Sequence, residues 1–371
     1  MDQALAVATV RGALGRYGLQ ENTPIEFVKY RENYVFRIRP EGETSYAVRL
    51  HRPGYRSDSE VRCELEFLRT LRSRGVDVPD VLPTADGELL CLTEGSDGIT
   101  YQIDALVWVD AAVPSGDIVE AFEGTARLSP ETFRRLGVLA ATFHNEATAI
   151  GVVEGFDRQA WDDEGLVGEQ ALWGDPCGIR ELSGQNVALL NDVKRALKDE
   201  LISFGVSPDR YGVIHADFTP ENILVRGEEY ILIDFDDFGE GWHLFDLATL
   251  LFFYLPHPKY LDYQRSAFEG YRSVRPLPEE HLKSWDAMLL SRGLTYLGWA
   301  STRRGDDTAE FIVSHLVPVV LAMARNYSQG LSRTLARLPQ LHRRRQLPRR
   351  LNLRTGAPAP RDPPAIAGLH L

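Results

Sequence analysis

Two acidic side chains follow short apolar runs near the middle of the sequence, where their residue types could do chemistry. Asp217 stands at the start of a polar turn that leads to Asn222, and Asp234 follows the apolar run at residues 230–233. Strand ends and the loops after them commonly carry catalytic side chains. Phosphoryl transfer from a metal nucleotide needs a carboxylate facing the attacking hydroxyl and hard oxygen ligands for Mg²⁺. Asp217 fits the first need, and Asn222 with Asp234 fits the second.

The spacing of these residues is that of a kinase site. Residues His215 to Asn222 read His-x-Asp-x-x-x-x-Asn, as in a kinase catalytic loop, and Asp234-Phe235-Asp236 stands where kinases carry Asp-Phe-Gly. A third element, Phe245-Asp246-Leu247-Ala248, follows them. With these elements in this order, the chain resembles the aminoglycoside phosphotransferase and choline kinase superfamily from about residue 22 to residue 330.

The resemblance implies an α+β, protein-kinase-like fold of two lobes, with a small antiparallel sheet in the N-lobe and a mostly helical C-lobe. It also implies ATP and Mg²⁺ as cofactors, Asp217 as the catalytic carboxylate, and Asn222 and Asp234 as the magnesium ligands. His215 is counted with the catalytic residues. Together with Asp246, it is expected to orient the catalytic loop through hydrogen bonds.

Apolar runs between residues 25 and 50 predict three strands of the N-lobe sheet. The turn at residues 30–33 falls where kinases cover the nucleotide phosphates, but it contains no glycine. Asn33, which tolerates left-handed geometry, is the candidate substitute. On the third strand Arg49 replaces the lysine of Val-Ala-Ile-Lys, and the resemblance implies that its permanent charge contacts the nucleotide phosphates.

A helix is predicted at residues 59–74 from its apolar stripe. In the kinase arrangement an acid on this helix pairs with the cation at position 49. Glu64 is the preferred partner of Arg49, and Glu60 and Glu66 are the alternatives.

Two further placements rest on order along the chain. Trp108, Val109 and Asp110 follow the last predicted strand, where kinases bind adenine through backbone hydrogen bonds of the hinge. Asp236 is a candidate neighbour of the metal. Asp237 is interpreted as a residue that caps the chain or faces substrate.

The C-lobe is expected to be mostly helical, with helices at residues 131–145, 187–204, 242–254, 260–274, 278–297 and 307–327. His144, near the end of the first of these, is interpreted as a structural histidine. Residues 156–177 mix acids with indoles, namely Asp162, Asp163, Glu164, Glu169, Trp161 and Trp173. Such a mixture could cage a cationic substrate. A surface insertion held by its tryptophans is the equal alternative.

Composition and charge limit the partners. The chain has 371 residues with a net charge of −12, yet nine Arg and one Asp lie at residues 332–371, so the part before them is still more acidic. Such a body repels nucleic acid and attracts cations. We predict an N-lobe at residues 1–108, a C-lobe at 109–331 and a disordered, basic Pro- and Arg-rich tail at 332–371.

The sequence favours a cytoplasmic protein without a membrane partner. Its first residues lack the basic start and long apolar stretch of a signal peptide. The apolar runs near residues 244–255 and 311–324 are expected to be too short to span a membrane. The three cysteines are odd in number and far apart, without metal-ligand spacing, which predicts buried thiols in a reducing compartment. They are Cys63, Cys91 and Cys177.

These observations favour an ATP-dependent kinase that phosphorylates a hydroxyl of a small, amine-bearing molecule. One alternative is a serine/threonine protein kinase of the bacterial stress-response type, although no activation segment ending in Ala-Pro-Glu is present. The other is a non-catalytic nucleotide-binding module, suggested by the missing glycines and by Arg49. The complete set Asp217, Asn222 and Asp234 argues against that alternative, because a module that only binds needs no base.

Overall fold

The protein is described from a computed structural model covering residues 2–30, 32–152 and 156–330. The predicted tail at residues 332–371 lies outside the described residues. The described chain forms an antiparallel sheet with two helices, followed by a mostly helical part. This confirms the predicted α+β, two-lobed fold. The division of the chain at residue 108 stays a prediction.

The N-lobe consists of α1 (Gln3–Ala13), β1 (Ile25–Tyr30), β2 (Asn33–Ile38), β3 (Tyr46–His51), α2 (Asp58–Ser73), β4 (Cys91–Glu94) and β5 (Thr100–Val107). Its strands are ordered β1-β2-β3-β5-β4, and each neighbouring pair is antiparallel. Side chains alternate along β3, so Val48 and Leu50 pack in the core that includes α1. Ala47 and Arg49 lie on the opposite face, which lines the cleft between the lobes.

Helix α2 brings an acidic side chain to that same face. It begins with a capping box in which Ser57 Oγ accepts from the Glu60 N–H and the Glu60 carboxylate accepts from the Ser57 N–H. Val61 and Leu65 are buried on its inner side, and Glu64 is buried with them. A buried carboxylate is costly unless it is paired. Glu64 therefore requires a cationic partner on the sheet.

The α-helices and strands that the structure describes in the C-lobe fall into a first group that ends with α7 and a second group of helices that follows it. The first group is β6 (Val113–Pro114), α3 (Ile118–Glu123), α4 (Pro130–Ile150), β7 (Ala160–Trp161), α5 (Asp163–Val167), α6 (Gly184–Phe204), β8 (Tyr211–Ile214), β9 (Ile223–Arg226), β10 (Glu229–Leu232), β11 (Gly239–Trp242) and α7 (His243–Phe252). The second is α8 (Tyr260–Arg272), α9 (Trp285–Thr302), α10 (Asp307–Phe311) and α11 (Val317–Ser328). Two three-stranded sheets, ordered β10-β9-β6 and β7-β11-β8, support the loops of the site.

Helices α4 and α8 approach each other through two glycines. A Cβ atom at Gly137 would lie 2.0 Å from the Ala267 carbonyl oxygen, and one at Gly270 would lie 1.9 Å from the Arg134 carbonyl oxygen. Both distances are far below van der Waals contact, so only glycine permits this spacing. The contact fixes α4, which carries His144 toward the catalytic loop.

Among the described residues, one helical stretch is long and apolar enough to cross a membrane by length and composition. It is Asp307–Ser328, in which a π-helical turn at Ile312–Leu316 joins α10 to α11. The prediction that no apolar run reaches this length was wrong, because the helix is continuous through that turn. Half of its apolar window is buried in the protein. Phe311 and Val320 belong to the C-lobe core, and core packing accounts for the apolar composition.

Candidate active site

The catalytic loop between β8 and β9 is held by Asp246, which lies fully buried in the first turn of α7. Asp246 Oδ2 accepts the N–H of His215 at 2.9 Å, and Oδ1 accepts the N–H of Ala216 at 2.8 Å. Ala216 has a φ of 64°, which is uncommon for a residue with a side chain. Burial raises the pKa of Asp246 to about 6, while His215 and the two backbone donors oppose this rise. The carboxylate thus fixes the backbone immediately before Asp217.

His215 joins the loop to the neighbouring metal-binding segment. Its Nδ1 accepts the Asp217 N–H at 3.3 Å, so its Nε2 carries the proton that is donated to the Ile233 carbonyl oxygen at 3.0 Å. His215 is fully buried and does not line the cavity. These contacts agree with the predicted orienting role of His215 and argue against direct contact with a substrate.

His144 supports the same loop from α4. It is fully buried, its Nε2 lies 3.0 Å from Asp246 Oδ2, and its Nδ1 lies 2.9 Å from the Tyr271 hydroxyl. Burial lowers the pKa of His144 well below its usual value, with Arg275 acting in the same direction. A neutral imidazole donating to Asp246 agrees with the structural interpretation of this histidine.

Both carboxylate oxygens of Asp217 are held in place at the cavity wall. Asn222 Nδ2 donates to Oδ2 at 2.8 Å, and Arg292 Nη2 donates to Oδ1 at 2.5 Å. The side chain of Asp217 is still 27% exposed, so a hydroxyl can approach it. The carboxylate is therefore fixed in orientation while remaining accessible.

Arg292 was missed by sequence reasoning. It lies on α9, is fully buried, and its guanidinium stacks on the rings of Tyr296 at 4.1 Å and Trp173 at 4.5 Å. Its Nη1 also donates to the Ala216 carbonyl oxygen at 3.1 Å. The available signal was an arginine inside a helix that is apolar on nearly every side. Such a residue is buried only when it is paired.

The two predicted metal ligands lie near one another at the ends of β9 and β10. Asn222 Nδ2 donates to Asp217, so Oδ1 is the atom of this side chain that could bind a metal. Asp234 has a φ of 65°, and its Oδ2 lies 3.3 Å from Lys29 Nζ. Burial alone would raise the pKa of Asp234, but Lys29 and Arg49 more than offset it, so the pKa is lowered. Asp234 is thus an ionised oxygen donor.

This donor pair fits the Mg²⁺ that accompanies a nucleotide. Within residues 2–30, 32–152 and 156–330, no group of three or more His, Cys, Asp or Glu side chains is arranged to hold a metal alone. Mg²⁺ commonly takes one or two protein carboxylates and completes its shell with phosphate oxygens and water. Asn222 and Asp234 would provide that part of the shell.

Arg49 is enclosed by carboxylates on the cleft face of the sheet. Its Nε and Nη2 donate to Asp104 at 2.8 Å each, and its Nη1 donates to Glu64 at 2.7 Å. Burial opposes ionisation of Asp104, but Arg49 and His51 lower its pKa to about 2. Of the three predicted partners, Glu64 is the one in contact. Asp104 was missed, although it lies directly opposite Arg49 in the β3–β5 register.

These contacts change the expected roles of Arg49 and Asn33. Arg49 directs its donors at carboxylates, so its availability to nucleotide phosphates stays a prediction. Asn33 Nδ2 donates to Asp236 Oδ2 at 2.6 Å, and Asp236 Oδ1 lies 3.5 Å from Arg49 Nη1. Asn33 and Asp236 are therefore engaged with each other, while Lys29 lines the cavity as a second cation.

The predicted hinge residues do not line the cavity. The Trp108 N–H donates to the Ser45 carbonyl oxygen at 2.9 Å, and its ring lies 4.4 Å from the Arg37 guanidinium carbon. Val109 packs on a small cluster beneath β9 and β10, and Asp110 pairs with Arg37. The segment expected to contact adenine therefore lies nearer the N-terminus than predicted, because the last residues of β5 line the cavity. The lining residues there are Leu106 and Val107.

The acids of the acid- and indole-rich segment lie outside the cavity, which favours the alternative of a surface insertion held by its tryptophans. Asp162 caps α5 through the Gly165 N–H, and Glu164 pairs with Lys198 at 2.5 Å. The indoles, in contrast, reach the site. Trp161 Nε1 donates to the Asp237 carbonyl oxygen at 2.7 Å, and Trp173 Nε1 donates to Asp237 Oδ1 at 3.2 Å.

One cavity between the lobes contains these features. Its N-lobe side includes the apolar residues Val35, Ala47, Leu106 and Val107, and its C-lobe side includes Asp217 and aromatic rings. A family model described as the phosphotransferase enzyme family matches residues 25–277. The chain belongs to this phosphotransferase family. The protein is accordingly an enzyme with an alcohol group as phosphate acceptor.

Relatives of this phosphotransferase include kinases of small molecules. A solved microcompartment-associated aminopropanol kinase is 28% identical with a TM-score of 0.76, covering 87% of this chain and 98% of its own. Amicoumacin kinase of Bacillus subtilis is 25% identical over 66% of this chain and 67% of its own length. Homoserine kinase of Rhizobium rhizogenes is 29% identical over 62% of this chain and 64% of its own length.

Proposed function

We propose that this phosphotransferase transfers the γ-phosphate of ATP to the hydroxyl of a small, amine-bearing molecule in the cytoplasm. The observation that carries the proposal is the fixed Asp217 carboxylate in a cavity shared by both lobes. Arg292 and Asn222 hold its two oxygens, and the side chain is accessible. Named relatives that act on aminopropanol, amicoumacin and homoserine support a small acceptor.

Each side chain has a separate task in this proposal. Asp217 orients the acceptor hydroxyl and receives its proton as the oxygen attacks phosphorus. Asn222 Oδ1 and Asp234 would hold the metal. The ammonium of Lys29, which pairs with Asp234 in this structure, would pair with a phosphate oxygen when the nucleotide binds. Bound Mg²⁺ would offset charge on the phosphate oxygens. Arg49 keeps Glu64 and Asp104 paired, which fixes α2 against the sheet.

The apolar end of the cleft suits a nucleoside base. Val35, Ala47, Leu106 and Val107 form its N-lobe lining. Such a surface gains free energy when it covers an aromatic base. With the base there, the phosphates would extend toward Lys29 and Asp234, which line the same cavity as Asp217.

ADP release by the purified protein tests the proposal directly. The acceptor panel comprises amino alcohols, aminoglycosides, amino acids and model proteins, each with ATP and Mg²⁺. We expect turnover with a small hydroxyl compound and a loss of about 10²–10⁴ in kcat for Asp217→Asn. Transfer to proteins alone would favour the protein-kinase alternative. Near-normal kcat in Asp217→Asn would remove this carboxylate from the reaction.

A further inference from the structure

Asp237 is one of the acidic side chains that line the cavity and have no task in the proposed reaction. It lines the cavity, and its side chain is 15% exposed. Trp173 Nε1 and Arg56 Nη2 each lie 3.2 Å from its Oδ1, and Trp161 fixes its backbone carbonyl. The hydrogen bonds that described residues make to this carboxylate end on Oδ1. Oδ2 is therefore the atom that a ligand would meet.

The walls around Asp237 are mostly aromatic and apolar. They are formed by Trp173, Phe253, Tyr296, Trp299, Phe311 and Ile312. The guanidinium of Arg292 covers Trp173 at 4.5 Å, and that of Arg303 covers Trp299 at 4.5 Å. Because both indoles already stack on an arginine, they attract a second cation weakly and serve as a surface for carbon atoms. Recognition of charge then depends on the carboxylates of the lining, of which Asp237 contacts Trp173 directly.

The cations that the structure describes near this part of the cavity are each paired with a carboxylate of the protein. Among the described lining residues, Lys29 and Arg49 are the cationic ones, and both belong to the N-lobe sheet. Arg292 is buried and donates to Asp217. Arg303 pairs with Glu32 at 2.6 Å, and Arg56 pairs with Asp237 itself.

The charged groups that the C-lobe contributes to the cavity lining are all carboxylates. A carboxylate on the acceptor, close to its reacting hydroxyl, would lie among these like charges without a cationic partner. Such an arrangement is strongly unfavourable at a desolvated site. An ammonium group at the same place would instead have Asp237 as its partner.

We propose that the acceptor site selects amino alcohols, with the ammonium on Asp237 and the hydroxyl at Asp217, and rejects amino acids that carry the same groups plus a carboxylate. This inference rests on the proposed function and narrows its substrate class. Asp237 is thereby a specificity-determining residue, and the aromatic walls hold the carbon skeleton between the two carboxylates.

Matched acceptors test the selection. Ethanolamine is compared with serine, and the aminopropanol isomer 1-amino-2-propanol with threonine. The two members of each pair differ by one carboxylate. We expect kcat/KM for the amino alcohol to exceed that for its amino acid by about 100-fold or more. Propanediol replaces the ammonium with a neutral group, and we expect it to be about 10-fold or more worse than aminopropanol.

Variants separate the contribution of Asp237. In Asp237→Asn, KM for aminopropanol should rise about 10-fold or more, while KM for ATP and the activity on propanediol stay unchanged. Glu60→Gln is the matched control, because Glu60 pairs with Arg56 at 3.2 Å but does not line the cavity. Asp237→Glu keeps the charge and should retain the preference for aminopropanol over propanediol. Melting temperatures establish that each variant is folded.

The outcomes distinguish this inference from the function on which it rests. Serine or threonine phosphorylated as well as its amino alcohol would overturn the inference and leave the kinase function standing. An unchanged KM for aminopropanol in Asp237→Asn would also overturn it. If no hydroxyl compound in the panel supports ADP release, the proposed function fails and the inference fails with it.

Discussion

Arg292 Nη2 donates to Asp217 Oδ1 across 2.5 Å, from a guanidinium that is itself fully buried. The pair joins α9 to the catalytic loop, two parts of the chain separated by 75 residues. A second donor of Arg292 reaches the Ala216 carbonyl oxygen. The loop is thus fixed from two sides, by Arg292 on α9 and by Asp246 on α7.

Removing Arg292 should damage catalysis more than binding. In Arg292→Met, Asp217 loses its orienting donor, and we expect kcat to fall about 100-fold with little change in KM for ATP. Arg292→Lys should recover part of the loss, because it keeps the charge without the planar fork. Arg275→Met is the control: this arginine is also buried, with bonds to Asn145 and Pro208, but lies away from the cavity. Equal losses of kcat in both variants would indicate only structural damage.

Lys29 should be the residue whose loss weakens nucleotide binding. Its Nζ lies 3.3 Å from Asp234 Oδ2 in the cavity, where a phosphate oxygen could replace the carboxylate. We expect Lys29→Met to raise KM for ATP about 10-fold or more, with KM for the acceptor unchanged. Lys198→Met, which removes a cation paired with Glu164 outside the cavity, should change neither constant. An unchanged KM for ATP in Lys29→Met would indicate that Arg49, and not Lys29, contacts the nucleotide phosphates.

The metal ligands should differ in the severity of their loss. Asp234→Ala removes the ionised donor and should abolish metal-dependent turnover. Asn222→Ala should raise the Mg²⁺ concentration needed for half-maximal rate, since it removes one neutral oxygen. Asp110→Ala removes a carboxylate paired with Arg37 outside the cavity and serves as the control. Full activity in excess chelator would contradict the metal assignment.

Binding of an amino alcohol should strengthen as pH rises through neutrality. Burial raises the pKa of Asp237 to about 7, with Asp217 and Asp236 acting in the same direction and Arg56 opposing them. The other charged or titratable groups that act on it are Tyr55, Arg158 and Arg292. Below pH 7 the carboxyl is largely protonated and cannot pair with an ammonium, which stays charged up to about pH 10.

The measurement is the pH profile of KM for aminopropanol. KM should fall as pH increases through about 7, because ionisation of Asp237 creates the binding group. Asp237→Asn should show a flat profile over this range. A wild-type KM that rises with pH would have the wrong sign for this assignment.

Three features were predictable because they depend on short spacings and on the order of strands. They are the catalytic loop, the fold class and the Arg49–Glu64 pair. His215, Asn222 and Asp234 lie within 20 residues of one another, so local pattern places them together. Asp246 was assigned to the loop from the family resemblance. The structure shows its two hydrogen bonds to the backbone.

Residues brought in from distant elements were not predictable in this way. Lys29 reaches Asp234 across 205 positions and Arg292 reaches Asp217 across 75, and no local pattern encodes either contact. The acids at Asp162 and Glu164 misled the prediction, since charge density alone does not distinguish a helix cap from a binding site. The hinge was predicted too far along the chain, because the residues of β5 that line the cavity are its last ones.

The glycine contact between α4 and α8 makes the catalytic loop sensitive to a substitution far from the cavity. Gly137 lies two turns before His144 on one helix, and His144 is bonded to Asp246, which fixes the loop. A single methyl group at Gly137 would act as a wedge, because its Cβ would fall 2.0 Å from a carbonyl oxygen of α8. The displaced helix would pull on the loop through that chain of bonds. An alanine far from any substrate would then impair turnover while every reacting group kept its identity.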